Sequence, residues 1–94
     1  MNQLVWSKRF IKAVKKLAKR QPDLVDKIES TLEILEINPY EPSLRTHKLK
    51  GDLDGTLSCS VDYDYRIVFE FINIEEFNRK DILLLSIGSH DEVY

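Results

Sequence analysis

The sequence predicts an α+β fold in which two helices pack on one face of a twisted, mostly antiparallel sheet of four or five strands. Residues 57–71 and 81–90 are dense in β-branched, aromatic and aliphatic residues, which is typical of a largely buried sheet. Between residues 8 and 37, apolar residues instead recur with helical spacing. Because the helical part precedes the run of strands, we expect the helices on one face of the sheet.

Length and composition predict one domain, residues 1–94, with a modest core. Hydrophobic residues make up 43% of the chain and charged residues 32%, a balance typical of a soluble globular protein. The N-terminus has no apolar signal region and no apolar run approaches a membrane span, so we expect a cytoplasmic protein with no membrane partner. The lone Cys59 and two distant histidines give no metal-ligand spacing, so neither a metal nor a cofactor is expected.

The N-terminal elements are predicted to be a short strand and an antiparallel helical hairpin. Residues 3–6 are a strand candidate, and Ser7 suits the N-cap of a helix that runs from residue 8 to about residue 21. Pro22 suits the start of the second helix. Pro39 ends it, because the residue before a proline is pushed away from helical angles. Two amphipathic helices joined by so short a connection are expected to pack antiparallel on the sheet.

Four further strands are predicted, at residues 45–50, 57–62, 65–72 and 81–88. Residues 57–62 alternate between apolar and polar side chains, as in a strand with one buried face. Residues 82–87 are apolar almost without alternation. We therefore place this last strand in the middle of the sheet, covered on both faces.

The charges are unevenly distributed although the net charge is only −2. Residues 8–20 carry seven basic groups and no acid, whereas residues 23–36 carry five acids against Lys27 alone. A basic block of this kind predicts a polyanionic partner. The alternative is that the basic helix faces the acidic one, and charge alone does not separate the two.

Polar residues near the predicted strand ends are candidates for chemistry, since the sequence has no phosphate-binding glycine loop, nucleophile elbow or metal motif. Metal-free RNA cleavage needs one group to take the proton of the 2′-hydroxyl, one to protonate the departing 5′-oxygen, and a cation beside the phosphate. Histidine suits the proton transfers, arginine the phosphate, and aromatic rings the unpaired bases. Residues of these types are His47, Asp64, Arg66 and His90, with Arg45, Lys48 and Lys50 as cations and Tyr65 and Tyr94 as aromatic surfaces.

Three segments, HKLKG, SVDYDYRIVFEF and LLLSIGSHDEVY, follow the basic and acidic helices. With this order of elements the chain resembles the RelE/ParE toxin superfamily, and within it the YafQ-type and RelE-type mRNA interferases of bacterial toxin–antitoxin pairs. The resemblance implies a small toxin that enters the ribosomal A site and cuts translated mRNA without a metal. It also implies a cognate antitoxin, through which alone the protein would reach DNA.

The resemblance implies a catalytic set. His47, Asp64 and His90 match catalytic positions of the YafQ pattern, and Arg66 matches an arginine that handles phosphate in the RelE branch. Ser60 stands where the YafQ pattern has another histidine, which leaves the division of proton transfer open. Without the resemblance, His47 is interpreted as a solvated residue at a strand edge and His90 as a satisfied structural histidine.

Two further sets of residues are expected to bind RNA. Tyr65 and Tyr94 stand where the YafQ pattern has aromatic residues. The residues expected to bind the substrate RNA are Arg45, Lys48, Lys50, Tyr65 and Tyr94. From the basic block, we also expect the first helix to contact ribosomal RNA through Lys12, Lys15, Lys16 and Lys19.

Structural interpretations remain open for several of these residues. Asp64 could be a turn residue whose side chain bonds nearby backbone N–H groups. Tyr65 could belong to the core, because it shares a strand face with other aromatic residues. Arg66 could pair with Glu70 on its own face of the strand.

Two rival functions share the predicted fold. One is a ParE-like toxin that inhibits DNA gyrase by binding, with no catalytic role. The other is a degenerate member that retains only antitoxin binding. The set of His47, Asp64 and His90 favours the ribonuclease, because a protein that only binds has no need of it.

Overall fold

The computed structural model describes residues 3–89, which form five strands and two α-helices. In chain order these are β1 (Leu4–Trp6), α1 (Lys8–Arg20), α2 (Leu24–Ile37), β2 (His47–Lys48), β3 (Leu57–Ser60), β4 (Tyr65–Ile74) and β5 (Arg79–Ser89). Short 3-10 turns lie in three connections, at Pro42–Leu44, Gly51–Leu53 and Glu75–Phe77. The predicted α+β class is confirmed. Neither described helix is long and apolar enough to cross a membrane.

The sheet is mixed, with strand order β1-β5-β4-β3-β2. β1 runs parallel to β5, and the other three neighbouring pairs are antiparallel, which confirms the mostly antiparallel prediction. The β4–β5 hairpin is its longest ladder. Its register shifts between Val68 and Phe69, where Leu85 is the extra residue in β5. An extra residue of this kind bends the strand and increases its local twist.

One face of the sheet is covered by both helices. α1 contributes Phe10 and Leu17 to the core, and α2 contributes Leu24, Ile28, Leu32 and Leu35. The sheet contributes Leu57, Cys59, Tyr65, Ile67, Phe69, Ile82, Leu84 and Ile87. This helix-covered face is where most of the described apolar surface is removed from water, which is the main driving force for folding.

Ser7 begins α1 and attaches it to the sheet. Its Oγ accepts a hydrogen bond from the Phe10 N–H at 3.0 Å, as predicted for an N-cap. Its own backbone N–H donates to the Leu84 carbonyl at 3.2 Å. Phe10 also makes an edge-to-face contact with Trp6, with ring centroids 5.0 Å apart. The start of the helix is therefore fixed against both β1 and β5.

The predicted position of residues 82–87 is confirmed, and their predicted burial only in part. β5 lies inside the sheet between β1 and β4, and Leu84 is fully buried beneath the helices. On the other face, Leu83 and Leu85 are only half-buried. The burial differs between the two faces because both described helices pack on the same side of the sheet. The apolar run is therefore fully buried on the helix-covered face alone.

Several predicted strand and helix ends differ from the structure by one or two residues, and two differences have a clear local cause. The strand predicted at residues 45–50 is only His47–Lys48. Arg45 has left-handed backbone angles, with φ 51° and ψ 40°, and Gly51 begins a 3-10 turn with φ +72°, so extended backbone is excluded on both sides. The second helix begins two residues beyond Pro22, which lies in the preceding turn.

Candidate functional site

The second face of the sheet, which we call the back face, carries polar side chains near the end formed by β2, β3 and β4. Ser58 pairs with His47 across the β2–β3 ladder, and Ser60 pairs with Arg66 across the β3–β4 ladder. Alternate residues of a strand share a face, so these four residues lie on one side of the sheet. The intervening residues of β3 pack against the helices. The fold therefore brings His47 and Arg66 to the same face, as the predicted catalytic set requires.

Two arginines line one cleft at this end of the sheet, which we call the arginine cleft. Its volume is about 270 Å³. The lining residues are Ser43, Arg45, Ser60, Val61, Asp62, Tyr63 and Arg66. Two guanidinium groups and three hydroxyl groups belong to these residues. They favour an anionic ligand, because arginine donors match the oxygens of a phosphate or carboxylate.

Arg66 is held by backbone carbonyls. Its Nη1 donates to the Asp62 carbonyl at 2.9 Å and reaches the Tyr65 carbonyl at 3.5 Å. Within residues 3–89 its Nε and Nη2 make no hydrogen bond, and the two ion pairs there do not include a pair with Glu70. The Glu70 alternative is therefore wrong, and two nitrogens of a fixed guanidinium remain available to a ligand.

The residue that organises the β3–β4 turn is Asp62, which the sequence analysis did not single out. Its Oδ1 accepts the backbone N–H groups of Asp64 and Tyr65, each at 2.9 Å, and its Oδ2 lies 3.6 Å from the Lys27 ammonium. Asp64 keeps an exposed carboxylate, which makes no hydrogen bond or ion pair within the described part of the chain. The turn role proposed as the alternative for Asp64 thus belongs to Asp62, two residues earlier.

His47 is exposed at the edge of the sheet, and its ring makes one contact with the backbone. Nδ1 lies 3.1 Å from the Arg45 carbonyl oxygen. A carbonyl oxygen only accepts, so this contact is a hydrogen bond when Nδ1 carries the proton. In the neutral ring, Nε2 then has the unshared electron pair. Arg45, which has left-handed backbone angles, thus accepts from His47 and also lines the arginine cleft.

Tyr65 does not offer the aromatic surface predicted for it. It is 8% exposed and belongs to the helix-covered core, because it alternates with Ile67 and Phe69. Its hydroxyl accepts a hydrogen bond from the Gln21 side-chain amide. Its ring faces are therefore unavailable for base stacking. Tyr63 is 91% exposed, lines the arginine cleft and is the aromatic ring that the structure places there.

The other predicted RNA-binding residues lie apart from the cleft. Lys48 and Lys50 are exposed but do not line it, and Lys48 pairs with Leu57, so it lies on the face opposite His47. His90 and Tyr94 lie outside the described residues. The four lysines predicted to contact ribosomal RNA are exposed on α1, and they are Lys12, Lys15, Lys16 and Lys19.

Neither a nucleophilic thiol nor a metal cluster is found among residues 3–89. Cys59 is fully buried, and burial raises the pKa of its thiol to about 12, against smaller opposing effects of the Ile67 backbone hydrogen bond and the Arg66 charge. The thiolate is the nucleophilic form, so this cysteine is inert in the folded protein. No three His, Cys, Asp or Glu side chains of the described part are grouped as metal ligands would be.

The fold is shared with solved structures of bacterial proteins, toxins among them. YafQ from Escherichia coli strain BL21(DE3) is 20% identical, with a TM-score of 0.81 over 100% of this chain and 99% of that chain. The toxin–antitoxin complex DinJ–YafQ from E. coli matches at 20% identity and a TM-score of 0.78, over 99% and 97%. The Helicobacter pylori conserved hypothetical protein HP0894 matches at 26% identity and a TM-score of 0.74, over the whole of both chains.

The fold is therefore the one that RelE/YafQ-like toxins have. A comparison with curated proteins found no significant match. The model of the family described as bacterial toxin of type II toxin–antitoxin system, YafQ, matches residues 2–94. The chain belongs to this YafQ toxin family, which confirms the resemblance seen in the sequence.

Proposed function

We propose that this toxin is a ribosome-dependent endoribonuclease that cuts translated mRNA by acid–base catalysis. The observation that carries the proposal is the arginine cleft, in which Arg45 and Arg66 lie with the Ser60 hydroxyl at the end of the sheet where His47 is exposed. The arginine cleft can bind one phosphate, and His47, on the same face of the sheet, can transfer a proton. A protein that acts by binding alone needs no such pairing of charge and proton transfer.

The phosphate of the scissile bond would be bound by the two arginines. Arg66 enters the reaction already fixed through Nη1, so its Nε and Nη2 can donate to two phosphate oxygens without first being ordered. Arg45 lines the same cleft and adds a second positive charge. Both charges stabilise the oxygens on which negative charge grows as the bond to phosphorus forms.

The nucleophile would be the 2′-hydroxyl of the RNA. His47 takes its proton at Nε2, because Nδ1 is occupied by its hydrogen bond to Arg45. The 2′-oxygen then bonds to phosphorus, the bond to the 5′-oxygen breaks, and that oxygen receives a proton from a general acid. We assign this second role to His90 and an orienting role to Asp64. The product is a 2′,3′-cyclic phosphate and a free 5′-hydroxyl, and no step uses a metal ion.

Ser60 would contribute hydrogen bonding but not proton transfer. It lines the arginine cleft and pairs with Arg66, so its hydroxyl can reach the same phosphate. A serine hydroxyl does not titrate near neutral pH, unlike the histidine of the YafQ pattern. The two histidines of the chain therefore carry both proton transfers in this scheme.

The partners follow from the same proposal. E. coli YafQ has been solved in complex with DinJ, and we propose that this chain likewise binds a cognate antitoxin. Its ribosomal contacts would be made in the A site, with Lys12, Lys15, Lys16 and Lys19 of α1 against ribosomal RNA phosphates. Its place of action is the cytoplasm, where mRNA is translated, and it would reach DNA only through its antitoxin.

The test is primer extension on a translated message after the chain is expressed. Discrete cuts within codons are expected from the wild type, and far fewer from Arg45→Gln, which removes one cleft cation. Lys80→Gln is the matched control, because it removes an exposed cation far from the cleft. Intact mRNA together with DNA damage would instead support a ParE-like gyrase inhibitor.

A further inference from the structure

The seven basic residues of α1 divide into two sets by position around the helix. With 3.6 residues per turn, one set points away from the buried Phe10 and Leu17, and the other lies along one flank. The outer set is Lys8, Lys12, Lys15 and Lys19, and the flank set is Arg9, Lys16 and Arg20. All seven are exposed, so the helix presents two distinct basic surfaces.

The flank set borders a groove between α1 and β5, which we call the flank groove. Its volume is about 180 Å³. The lining residues are Arg9, Ala13, Lys16, Leu17, Arg20, Ser86 and Ile87. Three cations form the rim, and aliphatic side chains form most of the floor. None of the four outer lysines lines this groove.

The three rim cations have no anionic partner in the described part of the chain. The two ion pairs there are Lys27–Asp62 and Arg79–Asp81, and neither involves α1. Among residues 3–89, no ion pair therefore joins the basic helix to the acidic one. Three like charges around one small groove repel one another, and an anionic ligand would relieve that repulsion.

We propose that the flank groove binds an acidic segment of the antitoxin, with an aliphatic side chain on the floor and carboxylates on Arg9 and Arg20. This inference rests on the proposed function, which supplies the antitoxin. The rim suits carboxylates because a guanidinium binds them through two parallel hydrogen bonds. The floor suits a protein rather than RNA, since it has aliphatic side chains where unpaired bases would need aromatic ones.

A segment bound in this groove would also act on the neighbouring surface. Lys16 belongs to the groove rim and, in the proposed function, to the set that contacts ribosomal RNA. Acidic side chains beside it would repel the phosphates that the outer lysines attract. The antitoxin would then keep the toxin from the ribosome without entering the arginine cleft.

The experiment measures binding of short overlapping synthetic peptides that together span the antitoxin encoded beside this chain. The groove variant is Arg9→Gln with Arg20→Gln, and the matched control is Lys12→Gln with Lys19→Gln, which removes the same charge from the outer set. The peptide that binds wild type is expected to be acidic with aliphatic residues. The groove variant should bind it about three- to thirtyfold more weakly, and the control within about twofold, since each exposed ion pair contributes modestly.

Two further arms make the assignment specific. Replacing the leucines of the binding peptide by serine should also weaken binding, because the aliphatic floor is then left without its partner. A single-stranded RNA oligonucleotide should bind the groove variant as well as it binds wild type, and any loss of RNA affinity should fall on the Lys12→Gln, Lys19→Gln control, because the outer lysines are the ones assigned to phosphates. Circular dichroism melting of each variant checks that the fold is retained.

Three results would overturn the inference: equal losses in the two double variants, unchanged binding of the serine peptide, or RNA binding that depends on Arg9 and Arg20. The peptide assay needs neither ribosomes nor cleavage. If the protein binds the peptide in this groove but leaves mRNA intact, the proposed ribonuclease activity is wrong and the proposed binding site in the flank groove stands. If the protein cleaves mRNA but no peptide binds in a way that depends on Arg9 and Arg20, the ribonuclease activity stands and the proposed binding site is wrong.

Discussion

The Arg66 guanidinium donates a hydrogen bond from Nη1 to the backbone carbonyl of Asp62, at 2.9 Å. The Asp62 carboxylate in turn accepts the backbone N–H groups of Asp64 and Tyr65. One residue therefore shapes the β3–β4 turn and holds the arginine of the cleft. A guanidinium that is already ordered stabilises the negative charge of the transition state more than one that must first be ordered, because no ordering cost is incurred during the reaction.

Replacing Asp62 with alanine should lower both stability and activity. The change removes the acceptor of two backbone hydrogen bonds, so we expect the free energy of unfolding to fall by about 1–3 kcal/mol. Asp62→Asn keeps an oxygen at Oδ1 and should retain most of that stability. Urea unfolding and single-turnover cleavage measure the two effects. An alanine variant as stable as the asparagine one would show that these turn bonds contribute little.

Removing the histidines should reduce cleavage without unfolding the protein. A positioned acid or base contributes roughly 10²–10⁴ in rate, so His90→Ala should lose activity within that range, and His47→Ala comparably or less. The double variant should lose less than the product of the two single losses, because both residues serve one step. Single-turnover cleavage on programmed ribosomes measures this. Wild-type rates in both single variants would make the histidines structural.

Changing Lys12, Lys15, Lys16 and Lys19 together to glutamine should weaken ribosome binding and leave the fold intact. A lysine that binds a phosphate releases counterions, so each such lysine replaced should reduce the slope of log affinity against log salt by about 1. Ribosome binding titrated over a series of salt concentrations gives the slope. If affinity and slope both stay at the wild-type values, these lysines are merely solvated.

Truncating Leu84 to alanine should cost about 2–5 kcal/mol of unfolding free energy, as for other fully buried leucines. Leu84 is 0% exposed beneath α1, so its removal leaves a cavity. Ile37→Ala is the control, since Ile37 is 74% exposed and a surface change of this kind is expected to stay within about 0.5 kcal/mol. Urea denaturation of both variants measures the two losses of unfolding free energy. Similar losses in the two variants would contradict the assignment of Leu84 to the core.

Alkaline pH should destabilise the wild type more than a Cys59→Ala variant. The pKa of the Cys59 thiol is raised from 9.0 to about 12 by burial, so above pH 9.0 the unfolded chain loses a proton that the folded chain keeps. This contribution to stability is complete below the unfolded pKa and is lost as pH rises toward the folded one. Urea midpoints of both proteins at neutral pH and at about pH 10 measure the difference. If the urea midpoint falls equally in both proteins, the loss of stability at alkaline pH does not come from Cys59.

The sequence predicts best where local and tertiary preferences agree. Ser7 caps α1 and Leu84 lies at the centre of the core, as helical spacing and an unbroken apolar run indicate. The strand alternation that explains the burial of Tyr65 was visible in the sequence, but the family pattern favoured a base-stacking surface. Alternation is the better guide here, because the strand face is fixed by the whole sheet.

Other features could not be obtained from the residues alone. Asp62 and Asp64 are both aspartates at one turn, and only the backbone geometry decides which of them accepts the N–H groups. Arg45 adopts a left-handed conformation that few residues other than glycine take, so an extended strand was the natural prediction. Arg45 also lines the arginine cleft, together with residues of the β3–β4 turn. Long-range packing, rather than local propensity, thus defines this part of the site.

The pairing of β1 with β5 has a consequence for biosynthesis. Ser7 bonds to Leu85 across 78 positions of sequence, and β5 also forms part of the surface on which α1 packs. Contacts between residues so far apart in sequence form late in folding, because the chain between them must first be ordered. A ribosome making this protein must therefore release the chain through β5 before the sheet can be completed. Prematurely ended chains would lack the fold, so a fragment of the toxin should be harmless to the cell that makes it.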